Sequence, residues 1–190
     1  THQVLRSSKD WANRLQRRFE LFPSAHIGYN LTQNQKLLFA YSRRTTRPEL
    51  YFMEPYITYK DYYTAEIGNP DIRPEYIHSF ELNYSLTSGE NALSASLFHR
   101  TRKDKIERLR VPYQAGVTLD SMANVGHDYS TGIELSGSLQ ATSWWNTQIN
   151  GSLYHYRVEN EYKTDGKNET STNYEIAWNN AFTTGKYTRI

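Results

Sequence analysis

Connection length is the feature that most limits how this chain can fold. Stretches in which apolar and polar side chains alternate recur along it: 25–31, 37–42, 80–86, 93–98, 133–140, 148–153 and 174–182. A period of two is the mark of half-buried β-strands. Between the first and second stretch stands "TQNQ" (32–35), between the third and fourth "TSGEN" (87–91), and between the fifth and sixth "TSWWN" (142–146). The last stretch runs into "TTGK" (183–186). The remaining connections, Arg44–Glu75, Asp104–Asp128 and Glu159–Thr172, are long. Tight turns and long loops thus alternate strictly. A sandwich or propeller has no reason to keep that order. An outer-membrane barrel does, with short periplasmic turns, long extracellular loops and strands of about ten residues crossing an apolar band about 25 Å tall.

The faces of the strands fit this reading. Phe80, Leu82, Tyr84 and Leu86 oppose Glu81, Asn83 and Ser85, and Ile133, Leu135 and Leu139 oppose Glu134, Ser136 and Gln140. The apolar set would face lipid. The other set, with Gln148 and Asn150, would face a watery lumen. Tyr29, Tyr41, Tyr84, Trp144, Trp145 and Trp178 suit interfacial girdles, where a ring carries a polar tip; packing in an ordinary core is the alternative. The sequence therefore predicts an all-β fold, an antiparallel meander with short turns at one end and long loops at the other. Residues 1–190 are expected to form a partial transmembrane β-barrel domain, with Trp11–Phe19 read as loop entering the first strand.

Composition narrows the function classes. Hydrophobic residues are only 37% of the chain, yet aromatics are 14%, with 16 tyrosines. Disorder depletes aromatics, so the low apolar fraction points to strands with one wet face. A net charge of +2 leaves no nucleic-acid footprint. Without cysteine there is no disulfide framework and no thiolate metal site. The six histidines (2, 26, 78, 99, 127, 155) have no metal-ligand spacing, and no phosphate loop or nucleophile elbow is present. Neither enzymatic activity nor a cofactor is expected. Asp120, Asn124 and Asp128 could hold a calcium ion, but their spacing is not that of an EF-hand loop.

Four segments carry a resemblance: "FPSAHIGYNL" (22–31), "YSRRTTRPELYFMEPY" (41–56), "GNPDIRPEYIHSFELNYS" (68–85) and "SASLFHRTRKDKIERL" (94–109). They resemble the barrel portion of Bacteroidetes TonB-dependent outer-membrane receptors, in which a Phe-Pro-Ser strand start, an Arg-Arg-x-x-Arg-Pro corner, an Asn-Pro and a Gly-Asn-Pro-x-Leu-x-Pro-Glu corner recur in this order. Glu54-Pro55 stands where Asn-Pro is usual, and Ile72 where Leu is usual. The resemblance implies a wall segment of a receptor in the bacterial outer membrane that imports a scarce ligand. Its partners would be membrane lipid, a small ligand (sugar, siderophore or peptide) and the TonB energy-coupling complex, engaged through a plug. No plug-like region is visible, so a fragment that self-associates through open sheet edges is the expectation. A soluble carbohydrate-binding β-module and a passive porin are the alternatives.

Candidate site residues follow from the loops. Pro70 and Pro74 in "GNPDIRPEY" (68–76) fix φ and push Asn69 and Arg73 towards extended backbone, which would pin the start of the next strand. In the matching corner, Arg43, Arg44 and Arg47 could bind lipopolysaccharide or an anionic ligand bidentately, or be snorkelling or carboxylate-paired arginines. Between the corners lie Tyr51, Phe52, Tyr56, Tyr59, Tyr62 and Tyr63, suited to stacking on a ligand or to packing against a plug or neighbouring loop. The span Glu49–Ile67 is expected to lack secondary structure.

Overall fold

A computed structural model describes residues 20–162 and 168–183. In chain order the elements are β1 (Ser24–Asn30), β2 (Gln35–Thr46), a 3-10 turn (Leu50–Met53), β3 (Ile57–Tyr59), β4 (Thr64–Ile67) and β5 (Glu75–Ser88). They continue with β6 (Asn91–Lys103), β7 (Ile106–Gln114), β8 (Val117–Asn124), β9 (Gly126–Thr142), β10 (Trp145–Asn160) and β11 (Glu169–Phe182). The seven alternating stretches all become strands of one antiparallel sheet, ordered β1-β2-β5-β6-β9-β10-β11. This wall does not close: among the described residues, β1 and β11 stand at its margins.

The three short turns between strands lie side by side at one end. Thr87 N donates to Asn34 O (2.9 Å), Gln140 N to Asn91 Oδ1 (2.8 Å) and Thr183 N to Trp144 O (2.8 Å). Residues 184–186 of the fourth turn, and the Trp11–Phe19 segment, lie outside the described residues.

Register carries the amphipathic pattern across the whole wall. Ile27, Phe39, Leu82, Leu97, Ile133, Leu153 and Tyr174 are successive cross-strand partners, and so are Gly28, Leu38, Asn83, Ser96, Glu134, Ser152 and Glu175 one step along. Because neighbouring positions point to opposite faces, the first row is greasy and the second wet. Leu93, Leu135 and Ile149 share the greasy face with Leu82. Tyr41, Phe80 and His99 form a chain of rings towards the loop end (5.0 and 6.5 Å between centroids). Trp144, Trp145 and Phe182 stack at the turn end, 6.1 to 6.4 Å apart. Tyr29 and Tyr84 belong to a row inside the apolar band, between these two groups. From His78 to Ser88 the strand rises about 33 Å, or about 25 Å along the membrane normal at barrel tilt.

The long connections are where the sequence reading fails. Glu49–Ile67 does not lack secondary structure: it holds the 3-10 turn, β3 and β4. Asp104–Asp128 is mostly the β7–β8 hairpin, and the third connection shrinks because β10 reaches Asn160. Together they make a second sheet, β3-β4-β8-β7, in which β4 runs parallel to β8 with Ala65 opposite Leu119 and Glu66 opposite Asp120. A three- or four-residue strand is too short to stand alone. Pairing between the two connections satisfies its backbone N–H and C=O groups. The buried apolar residues belong mainly to this loop sheet and its attachments: Met53, Ala65, Ile72, Ala123 and Val125, against Phe98 and Val158 in the wall.

Candidate functional site

The proline corner fastens the loop sheet to the mouth of β5. Gly68 N donates to Glu54 O (2.9 Å), and a Cβ at Gly68 would collide with the Glu54 backbone, so glycine is required by close approach. Asn69 N donates to Phe52 O (2.7 Å), its side chain donates to Met122 O (3.2 Å), and its Oδ1 accepts from Asp71 N (3.0 Å). Ile72 and Pro74 are buried. Arg73 N donates to Asn124 Oδ1 (2.8 Å), while Asn124 Nδ2 donates to Arg73 O (2.8 Å) and Asp104 O (2.7 Å). One side chain thus clamps three backbone groups from both ends of the loop sheet. The buried Glu75 carboxylate adds a bond from Ile106 N (2.8 Å).

Asn124 is therefore a clamp and not a cation ligand. Asp120 and Asp128, the other two candidates, face different partners. Asp120 accepts a fork from Arg110 (2.7 and 2.9 Å), with Arg108 at 3.7 Å. Those Arg110 hydrogen bonds, working against burial, hold its carboxyl below the usual carboxylate range. Asp128 accepts from Tyr156 Oη (2.8 Å), with Arg102 at 3.6 Å and Lys105 at 3.8 Å. No carboxylate–histidine cluster able to hold a metal occurs among the described residues.

The three corner arginines do not converge. Arg43 lies over the Tyr76 ring at 5.0 Å, and Arg47 pairs with Glu20 at 3.3 Å. Arg44, one residue on from Arg43 and so on the opposite face, lines the inner side of the wall. Of the loop aromatics, Tyr51 and Phe52 pack ring on ring, 4.1 Å apart. Tyr56, Tyr59, Tyr62 and Tyr63 are exposed, the last two at 93% and 72% in the tight β3–β4 hairpin. That hairpin is held by Thr118 N donating to Tyr63 O (2.8 Å) and by Lys60 N donating to Thr64 O (2.9 Å). Two loops therefore present the exposed tyrosines on a built platform.

Towards the loop end, the inner face of the wall forms a recess of about 670 Å³ lined by Arg44, Arg100, Arg102, Phe98, Tyr154 and Tyr156 among others. Gly132 makes room there: a Cβ would meet Leu153 O and the Tyr154 side chain, and the Phe98 and Tyr154 rings sit 6.4 Å apart. Guanidinium, carboxylate, hydroxyl and ring faces are all within this one concavity. From the sequence, Arg44 stands out as a ligand candidate, Asp128 as a cation candidate and Glu134 as lumen-facing, whereas Arg100, Arg102, Tyr154 and Tyr156 do not. The signal available was register: these positions alternate with the lipid-facing rows.

Such a wall, greasy outside, polar inside, with loops gathered at one end, is matched by comparison. Over residues 1–190 the chain matches the outer membrane protein beta-barrel family. It belongs to that family. It is a protein of the outer membrane. No curated protein matches the chain. Among solved structures it is similar to the siderophore receptor PirA from Pseudomonas aeruginosa, at 16% identity and a TM-score of 0.61, covering 87% of this chain and 36% of that one. It is also similar to the ferric enterobactin receptor PfeA (14%, TM-score 0.57, 87% and 33% covered) and to the copper transporter OprC (14%, TM-score 0.51, 90% and 33% covered). At these identities the likeness is one of fold. The chain spans about a third of the length of those structures.

Proposed function

We propose that this chain forms a wall section of an energy-coupled receptor that imports a scarce small ligand, a sugar, siderophore or peptide, with TonB as the energy-coupling partner. The observation that carries this reading is an outer-membrane wall whose long-loop end bears both a set of exposed tyrosines and, on its inner face, a polar recess. Ligand capture falls to Tyr56, Tyr59, Tyr62 and Tyr63, whose rings offer large contact areas at low entropic cost. Arg44 belongs to the onward path, while the partners of Arg43 and Arg47 favour a packing role for those two. The receptors and transporter of similar fold handle siderophores, ferric enterobactin and copper, which supports import over catalysis.

The test is uptake by intact cells carrying the full receptor. Replacing the four tyrosines by Ala should abolish most ligand uptake while the heat-modifiable gel band of the folded barrel is kept. Unchanged uptake removes the tyrosines from the mechanism, and uptake that survives collapse of the proton gradient points to a passive pore instead. Open margins carry a separate expectation. Strands β1 and β11 each leave one row of backbone groups unpaired within the described sheet. The isolated 190-residue chain should therefore associate in detergent-free buffer, and a monodisperse monomer by light scattering contradicts this.

A further inference from the structure

The greasy face is not evenly filled. In the row Leu86, Leu93, Gly137, Ile149 and Trp178, successive partners across five strands, the central position has no side chain. The result is a groove of about 520 Å³ with Gly137 at its floor, Leu93 and Ile149 as walls, and Trp145 and Trp178 at its flank. It lies at the short-turn end. We propose that this groove is a seat for one acyl chain of a phospholipid in the periplasmic leaflet of the outer membrane.

Three observations choose that occupant. First, the groove is continuous with the apolar band, so in the membrane it is covered by lipid. Second, the two tryptophans do not offer their polar tips to a headgroup. Trp178 Nε1 donates to Thr147 Oγ1 (2.8 Å) and Trp145 Nε1 to Asn180 Oδ1 (3.1 Å). In an interfacial belt a tryptophan keeps one end apolar and the other wet; these two have their N–H groups satisfied within the sheet, which leaves their ring surface to hydrocarbon. Third, short turns mark the periplasmic end of such barrels, where the leaflet is phospholipid. Bulk lipid is as apolar as the groove, so the preference comes from fit: a chain in the trough touches walls on two sides, which a flat face cannot offer.

The experiment is native mass spectrometry of the intact receptor, purified from outer membranes, stripped of lipid with detergent and reloaded with either dioleoyl phosphatidylethanolamine or lipid A. Wild type should retain one phosphatidylethanolamine through washing. Gly137→Leu fills the floor and should lose it. The substitution is sterically open, since a Cβ there meets Ile149 Cγ2 at 3.5 Å and Leu93 Cδ1 at 3.9 Å, both ordinary contacts. Trp178→Ala removes a flank and should lose the lipid too, whereas Leu153→Ala, on the same face outside the groove, should retain it. Retention unchanged in Gly137→Leu overturns the proposal, as does preferential retention of lipid A, or a second protein chain found where the lipid should be.

Discussion

On the wall, Leu97 and Leu153 stand half exposed (52% and 49%) and Ile27 is 66% exposed. In the loop sheet and its attachments, Ala65 and Val125 are shut off entirely, and even the Asp120 carboxylate is buried under its arginines. Both regions are β-sheet, yet they solve opposite problems. The wall needs no inner hydrophobic core because its apolar side chains are buried by lipid, and its polar side faces water. The loop sheet stands beyond the apolar rows of the wall, where no lipid band covers it, so it must bury its own apolar groups and pair its own charges. Exposure therefore reads differently in the two: an exposed leucine is in its proper solvent on the wall, and an exposed tyrosine in the loop sheet is free to meet a ligand.

Charge placed on adjacent wall positions should break the comparison most visibly. Leu97 lies near the middle of the apolar band, and Ser96 points the other way, next to Glu134. Leu97→Arg should cost about 2–4 kcal/mol, the range for a lipid-facing arginine at depth. Ser96→Arg should change stability by less than about 0.5 kcal/mol. Urea titration of the receptor folded into vesicles reads both. Equal effects at the two positions would mean that the faces are not lipid and water.

A smaller effect, confined to the other region, is expected from Asn124→Ala. It removes three hydrogen bonds between the corner, the Asp104 turn and β8. At about 1 kcal/mol for each net bond, the loop sheet should lose about 2–3 kcal/mol. Hydrogen exchange should speed up in β3, β4, β7 and β8 and stay unchanged in β5 and β6. Exchange rising equally across the wall would show that loop sheet and wall unfold as one unit.

The two regions also differ in how much of them the sequence discloses. In "SFELNYSL" (79–86) every second residue is apolar, because one solvent change runs along the whole strand, so local pattern is enough. The loop sheet depends on β4 pairing in parallel with β8, across more than fifty residues, and β3 is "ITY" alone. No window of sequence contains that pairing. Within "IERLRVPYQ" (106–114) the alternation is there, but arginines that pair with Asp120 and Glu66 give it the look of a solvated loop. The candidate site was half legible for the same reason. Loop tyrosines stand out by composition, whereas Phe98, Arg102 and Tyr156 meet only once three wall strands are in register.

The smallest effect concerns acid, and it should again separate the regions. Asp120 has its carboxyl pKa depressed in the folded chain, by hydrogen bonds from Arg110 that outweigh the burial opposing them. A depressed carboxylate contributes stability that is fully present above its unfolded value, about 3.9. That contribution fades as pH falls below this value and through the lower, folded one, because the proton is then taken up more readily by the unfolded sheet. Between about pH 5 and pH 3, β4 and β8 amides should lose protection once intrinsic exchange rates are divided out. Asp120→Asn should be less protected throughout and lack Asp120's share of the pH dependence, because an amide has no proton to gain. Apolar rows such as Ile27, Phe39, Leu82 and Leu97 carry no titrating group, and should keep their protection across the same window. If the Asp120→Asn chain shows the full wild-type slope, the acid sensitivity belongs to another group, and Asp120 does not set it.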